Sequence, residues 1–424
     1  MVTSRQPRVV SVLPSATEIL CLFGGGHLLV GRSHEDNYPK SITHLPVLTG
    51  QKTTFTTAKD VDAQVSAALR DGQSLYTLDV DLLKSLAPLD VILTQDLCQV
   101  CAIDLVTVER VAKDLGPPAP AVVSLNPENL EGVLESVLAV GAAVGMPDEA
   151  AAAHAALLGR IAKVDEAVAQ AEAQRRPKRR VAFIEWSDPI YVGGHWTPQL
   201  IQRAGGLHEL NEATEAKGGG AGKSFAVPPE AVVAAAPELV ILCPCGLNLE
   251  MTYQEAMRLQ GEAWWDALPA VRAGQVVMVD GDAMFNRPGP RLVDCLEWLA
   301  SVLLDRPDLA PRDEFPAVWL PTPPAAAAAT AGESDGESAT RAAAKKEAAK
   351  AAELEDIEDA HRCAVKAGKH TYTDPFTGYT VFTQLAALER GRCCGSGCRH
   401  CPYDHERVPP KRKAKLPKPI VCLD

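Results

Sequence analysis

The stretches DLLKSLAPLDVILT (residues 81–94) and EAVVAAAPELVILC (230–243) align without a gap. Each opens with an acidic residue, continues through a short apolar stretch of helical spacing to Ala-Pro, and ends in a Val-Ile-Leu run. An apolar run of four or five residues after a proline break is the mark of a parallel strand covered on both faces. Two such helix–strand units, about 149 positions apart, predict two lobes of like construction.

The flanking sequence extends the pattern. RVVSVLP (8–14) and RVAFIEW (180–186) are apolar first strands, each led by a basic residue, and further strands are expected at 28–33, 46–49, 121–125 and 275–280. Strands alternating with helical stretches imply parallel α/β sheets. Between the two halves, residues 147–175 are Ala-rich, open with Pro and two acids, and contain no later proline. They predict one helix of about 27 residues, roughly 40 Å long, stiff enough to join two lobes.

The organisation expected is an N-terminal α/β lobe at 8–126 and a helical region with the bridging helix at 127–178. A C-terminal α/β lobe at 179–310, a linker at 311–358, a Cys-rich metal-binding domain at 359–410 and a basic tail at 411–424 follow. The linker has almost no large apolar residue and cannot form a core. The segment after it is too small to be stabilised by burial alone.

Composition narrows the function. The chain of 424 residues carries a formal charge of −12, yet residues 362–424 hold 12 Lys/Arg against 5 Asp/Glu. An acidic body argues against nucleic acid as the main partner. No run of 18 apolar residues occurs, so no spanning helix is expected. Twelve cysteines behind a start that lacks a signal-type apolar core point to a reducing compartment and a cytoplasmic protein.

In open α/β sheets, ligands sit beyond the carboxyl ends of the strands. That rule selects Ser15, Thr17 and Glu18 after the first strand, with Ser15 as helix cap and Glu18 reaching back to complete a capping box. It also selects His34 and Tyr38 in GRSHEDNYP, and Gln95 and Asp96 after the repeated strand. In the second half it picks Trp186, Tyr191, His195 and Trp196, flat walls suited to a large planar guest. Ser224, Phe285, Arg287 and Arg291 complete the set; either guanidinium could grip ligand oxygens or pair with a nearby acid. Cys98, Cys101, Cys243 and Cys245 fall at equivalent strand ends, as a thiol site or as packing. KGGGAGKS (217–224) imitates a phosphate loop but has Lys217 where the first glycine belongs, so nucleotide binding is not expected.

Residues 8–305 resemble the periplasmic binding protein family that captures vitamin B12 and iron chelates, in particular its cobalamin-binding branch. VVSVLPSATEIL, VGRSHEDNYP, TLDVDLLKSLAPLDVILTQDLCQVCA, GKSFAVPPEAVVAAAPELVILCPCG and WDALPAVRAGQVVMVDGDAMFNRPGPRLVD carry the resemblance. It implies two Rossmann-like lobes bridged by a long α-helix, the class III fold of that family. It further implies non-enzymatic binding of a cobalamin or related corrinoid, or an iron chelate, in the cleft between the lobes. Family members deliver ligand to membrane transporters; the expected absence of an export signal makes a transporter partner doubtful here.

In RCCGSGCRHCPY (392–403), Cys393, Cys394, Cys398 and Cys401 have the density of a zinc or iron–sulfur site. The surrounding sequence resembles the DUF5522 type of cysteine-rich domain, which supplies no activity. Two rival expectations stand beside the binding protein: a thiol-dependent oxidoreductase or cofactor-processing enzyme, and a metal-handling adaptor.

Overall fold

The computed structural model describes residues 5–71, 73–96, 105–215, 219–320, 357–373, 380–393, 398–408, 410–413, 418–419 and 421. The N-terminal lobe runs β1 (Val9–Ser11), α1 (Pro14–Leu22), β2 (Leu29–Gly31), β3 (Thr49–Gln51), α2 (Ala58–Arg70), β4 (Tyr76–Leu78), α3 (Val80–Ser85), β5 (Val91–Thr94), α4 (Leu105–Asp114) and β6 (Ala121–Ser124). Its parallel sheet has the order β2-β1-β5-β6, while β3 and β4 form a separate antiparallel pair carrying α2 between them. The strand expected at 46–49 is therefore only a single bridge, Val47 to Arg32, before the chain leaves for β3.

α5 (Leu130–Val144) and α6 (Pro147–Ala173) follow. α6 has the 27 residues expected of the strut. A Cβ on Gly141 would stand 2.1 Å from Ala150 Cβ, so only glycine allows α5 to approach α6 this closely. At its middle, Arg160 is held by Asp294 and Glu297, with Nε 2.9 Å from Glu297 Oε1. Further along, Asp165 takes a bidentate pair from Arg203 at 2.8 Å. These contacts fix the strut to the second lobe.

That lobe comprises β7 (Val181–Ser187), β8 (Ile190–Val192), α7 (Trp196–Arg203), β9 (Phe225–Ala226), α8 (Pro229–Ala234), β10 (Leu239–Leu242), α9 (Leu249–Leu259), α10 (Ala263–Ala267), α11 (Pro269–Arg272), β11 (Val276–Val279), α12 (Leu292–Leu303) and β12 (Ala317–Trp319). Its sheet order is β12-β11-β10-β7-β8-β9, parallel through β11, β10 and β7 and antiparallel at both margins.

The repeat has the predicted form: α3 leads to β5 and α8 to β10, and all four residues of each strand are buried. The basic residue before each first strand is tied to an acid before the repeated strand. Arg8 N donates to Asp90 Oδ2 at 2.7 Å, and Arg180 N donates to Glu238 Oε2 at 3.0 Å. Alternate residues serve opposite faces, as a pleat requires. Leu239 and Ile241 join a core shared with α5, α6, α12 and the first lobe, whereas Val240 and Leu242 join one confined to the second lobe.

A small C-terminal module pairs β13 (Thr371–Thr373) with β14 (Thr380–Phe382), followed by a helix at Gln384–Arg390. It meets the second lobe where Phe382 packs edge-on to Tyr253 at 5.7 Å and Arg390 pairs with Glu250 of α9.

Candidate ligand-binding site

The carboxyl ends of β1, β2 and β5 face the second lobe, and the two halves touch there. Glu18, in the second turn of α1, is buried and holds two guanidiniums that arrive just before α12. Arg291 Nε donates to Glu18 Oε2 at 2.8 Å and Arg287 Nη1 to Oε1 at 3.1 Å. Arg287 also donates to Asn37 Oδ1 at 3.0 Å, to the Glu35 carbonyl at 2.9 Å and to Asp282 Oδ1 at 3.2 Å. Asn37 in turn donates to Asp282 Oδ2 at 2.7 Å, and Arg291 lies 4.5 Å over the Tyr38 ring. Of the two uses foreseen for these arginines, this arrangement is pairing with a nearby acid. It works as a clasp between the lobes.

The capping box is corrected. Leu13 is the N-cap of α1 and makes no side-chain cap; Pro14 already opens the helix, so Ser15 lies inside the first turn. Ser15 Oγ is buried with no hydrogen-bond partner among the described residues, and so are Thr94 Oγ1 and His34 Nε2. Thr17 instead donates to Asp36 Oδ2 at 3.0 Å. Gln95 is buried, whereas Asp96 is exposed and its amide donates to Asn126 Oδ1 at 2.6 Å.

On the second lobe, Trp186 reaches across to the first: its Nε1 donates to the carbonyl of Ala58, at the start of α2, at 3.1 Å. Arg258 of α9 donates to the Thr56 carbonyl at 3.3 Å. α2 therefore lies across the mouth of the cleft, and the lobes are closed. Cavities of about 410 Å³ (beside Cys21, His27 and His44) and about 490 Å³ (beside Arg179, Glu238 and Gln275) each lie within one lobe.

Tyr191 is the cross-strand partner of Trp186, and His195 stacks on Trp196 at 5.5 Å. Trp196 and Phe285 do not wall the cleft as expected. They are core residues: Trp196 Nε1 donates to the Phe285 carbonyl at 2.6 Å, and Phe285 packs on Phe183 at 5.0 Å and Trp298 at 6.2 Å. Cys243 is buried, which pushes its thiol pKa well up and disfavours a thiolate; Cys245 is exposed. Cys98 and Cys101 lie outside the described residues.

Three acids complete the electrostatics: Glu35, which the GRSHEDNYP segment exposes beside His34 and Tyr38, and Asp36 and Glu185, which strand-end placement does not select. Burial pushes Glu35 up to about 7, against the nearby charge of Arg287. Burial also raises Asp36 to about 6, opposed by the Ser33 amide and Thr17. Glu185, on β7, is raised to about 7 by burial, opposed by hydrogen bonds from Ser224 and the Gly194 amide. Ser224 thus serves Glu185. A Cβ on Gly194 would stand 2.2 Å from Ser224 N, so glycine is required for that approach. One acid inside the otherwise apolar RVAFIEW was the available signal for Glu185.

The periplasmic binding protein family matches residues 9–283. The chain belongs to this family. Solved structures of family form share its fold at low identity. The periplasmic heme-binding protein of Pseudomonas aeruginosa is 20% identical, covering 70% of this chain and 92% of its own, with a TM-score of 0.51. The periplasmic vitamin B12-binding protein BtuF of Vibrio cholerae is 19% identical over 71% and 97%, with a TM-score of 0.50. The periplasmic heme-binding protein RhuT of Roseiflexus sp. RS-1 is 20% identical over 72% and 100%, with a TM-score of 0.51. In this family member, as in the paired repeat, two lobes with a bridging helix are the class III arrangement. Among the described residues no helix is long and apolar enough to cross a membrane.

A family of unknown function (DUF5522) matches residues 360–407. There, Cys393 and Cys401 are buried with their Sγ atoms 3.7 Å apart, and Cys398 is partly buried. Cys394 lies outside the described residues, and no cluster of three metal-binding side chains occurs among the described ones. His400 Nε2 is engaged by Tyr372 Oη at 2.9 Å, and His405 Nε2 by the Cys398 carbonyl at 2.8 Å.

Proposed function

We propose that the protein is a non-enzymatic binding protein that takes a planar metal chelate, a corrinoid or an iron tetrapyrrole, between its lobes. The observation that carries this is the set of buried polar atoms without partners among the described residues at three neighbouring strand ends, Ser15 Oγ, His34 Nε2 and Thr94 Oγ1, in a solute-binding fold. Buried polar groups are seldom left unpaired without a role. Trp186 and Tyr191 offer the opposite, aromatic side. The similar structures are of vitamin B12- and heme-binding proteins, whose ligands agree in chemical class. Entry requires the lobes to part at the clasp and at α2. Absorption titration of the full chain with diaquocobinamide and with ferric protoporphyrin tests the proposal. A saturable one-to-one spectral change with at least one supports it; no change with either at high micromolar concentration refutes it.

The C-terminal cysteines carry a second part. Two sulfurs bound to one tetrahedral zinc at about 2.3 Å stand roughly 3.8 Å apart, close to the 3.7 Å between Cys393 and Cys401. A disulfide would need about 2.05 Å. The module is thus proposed to hold zinc through Cys393, Cys394, Cys398 and Cys401, with an iron–sulfur cluster as the competing occupant. A reducing, cytoplasmic setting is proposed from the density of thiols, twelve cysteines in the chain. Alkylation in intact cells should find the exposed Cys245 and Cys363 reduced; finding them oxidised would refute that setting.

A further inference from the structure

The closed junction between the lobes holds more acid than base. Glu18 of α1, with Glu35 and Asp36 after β2, faces it from the first lobe, and Asp280 and Asp282 after β11 face it from the second. Three guanidiniums stand against these five carboxyls: Arg32, Arg287 and Arg291. His34 adds no charge there, because burial lowers its pKa. With every acid ionised, two negative charges at the junction would go uncompensated while shielded from water. Protonation relieves that excess, and so does separation of the lobes.

Four of the five acids are held by cations or amides. Glu18 takes both Arg287 and Arg291, and Asp282 takes Arg287 and Asn37. Asp36 accepts from the Ser33 amide at 2.8 Å and from Thr17 at 3.0 Å, and Asp280 from the amides of Asp282 and Ala283, both at 3.0 Å. The Glu35 carboxylate receives, among the described residues, only the Tyr76 hydroxyl of β4, at 3.4 Å. Arg287 of the opposite lobe covers Glu35 but spends its hydrogen bond on the backbone carbonyl, at 2.9 Å. Burial therefore pushes Glu35 up to about 7 against the charge of Arg287, with Asp282 and Asp36 pushing the same way as burial. Opening the lobes takes Arg287 and Asp282 away together and returns Glu35 to water, where a glutamate ionises near about 4.3.

We propose that Glu35 is a proton switch for lobe closure: protonated, it lets the lobes shut, and ionised, it drives them apart. On ionisation the proton passes from the carboxyl to solvent. The closed form holds the proton more firmly than the open one, so closure takes a proton up. Its stabilising effect is complete below about pH 4.3 and is lost as the pH rises through about 7. Between those limits the closed-to-open ratio falls by up to about tenfold per pH unit. The bearing of this switch on capture and release of a guest rests on the chelate-binding function proposed above; closure itself does not.

Small-angle scattering of the full chain without chelate, from about pH 5 to about pH 8.5, reads closure directly. Wild type should be compact at the acid end and should expand in one step through about pH 7. Glu35→Gln, which keeps the shape of the protonated acid and cannot ionise, should stay compact throughout. Glu35→Asp keeps a titrating group and should keep a step. Asp282→Asn, which removes the repelling acid of the opposite lobe, should move the step to lower pH. Circular dichroism checks that each chain stays folded at both ends of the range. A Glu35 that served structure alone would change compactness in its variants without changing the dependence on pH. A wild-type radius of gyration that does not vary with pH, or a step that survives in Glu35→Gln, overturns the switch. A step abolished by Glu35→Gln in a protein that binds neither diaquocobinamide nor ferric protoporphyrin leaves the switch standing and refutes the chelate reading.

Discussion

Replacing Glu18 by Gln removes the one buried acid that both arginines share while keeping its shape. The Glu18 side chain is 1% exposed, and those of Arg287 and Arg291 are 8% and 16% exposed. Removing one member of a buried ion pair costs about 3–5 kcal/mol, because the remaining charge stays desolvated. Asp282 still accepts from Arg287 at 3.2 Å, which places the cost near the lower figure, about 3 kcal/mol. At about 2–4 °C per kcal/mol for a domain of this scale, Tm should fall by about 6–12 °C. Since the acid and the arginines come from opposite lobes, the loss should also loosen closure. Small-angle scattering should show a larger radius of gyration, and Trp186 fluorescence should shift toward that of an exposed indole. A melting temperature within about 2 °C of wild type, with unchanged scattering, would refute the clasp.

Three further outcomes follow from the same geometry. Glu185→Gln should raise stability at pH 8 by roughly 2–3 kcal/mol, since a carboxyl held near 7 is penalised when ionised. A raised acid binds its proton more readily in the folded state, so stability falls as pH rises from about 4.5 to about 7. The advantage of Gln should therefore vanish by about pH 4.5; urea unfolding across that range checks it, and an equal difference at all pH values refutes it. Trp186→Phe removes the indole donor to Ala58 and should cost about 1 kcal/mol, with faster proteolysis around α2; unchanged cleavage would deny α2 its place over the cleft. Elemental analysis of freshly purified full chain should find one zinc, lost in Cys393→Ser and Cys401→Ser. A metal-free wild-type protein would contradict the zinc site, and a visible charge-transfer band would assign iron–sulfur instead.

The lobes were legible because apolar runs after Ala-Pro can be little else in an acidic chain, and the Ala-rich segment with no proline after its first residue reads as a long helix. What escaped was everything set by partners distant in sequence. Nothing local in SATE says that Glu18 meets Arg287 and Arg291 rather than the helix start, because that pairing depends on how two lobes dock. Trp196 and Phe285 follow strand ends as cleft residues do, yet the fold turns them inward onto Phe183. α2 carries an amphipathic pattern with no sign of where its apolar side rests. Glu185 was visible as a lone acid in a buried strand, although only the structure shows that Ser224 attends it.

The central claim is that two matched lobes enclose a metal chelate and release it unaltered. Calorimetric titration of the full chain with diaquocobinamide and with ferric protoporphyrin, followed by mass analysis of the released ligand, measures this directly. The account predicts saturable heat at one chelate per chain and an unchanged ligand mass; no heat at high micromolar concentration, or a modified ligand on release, would contradict it.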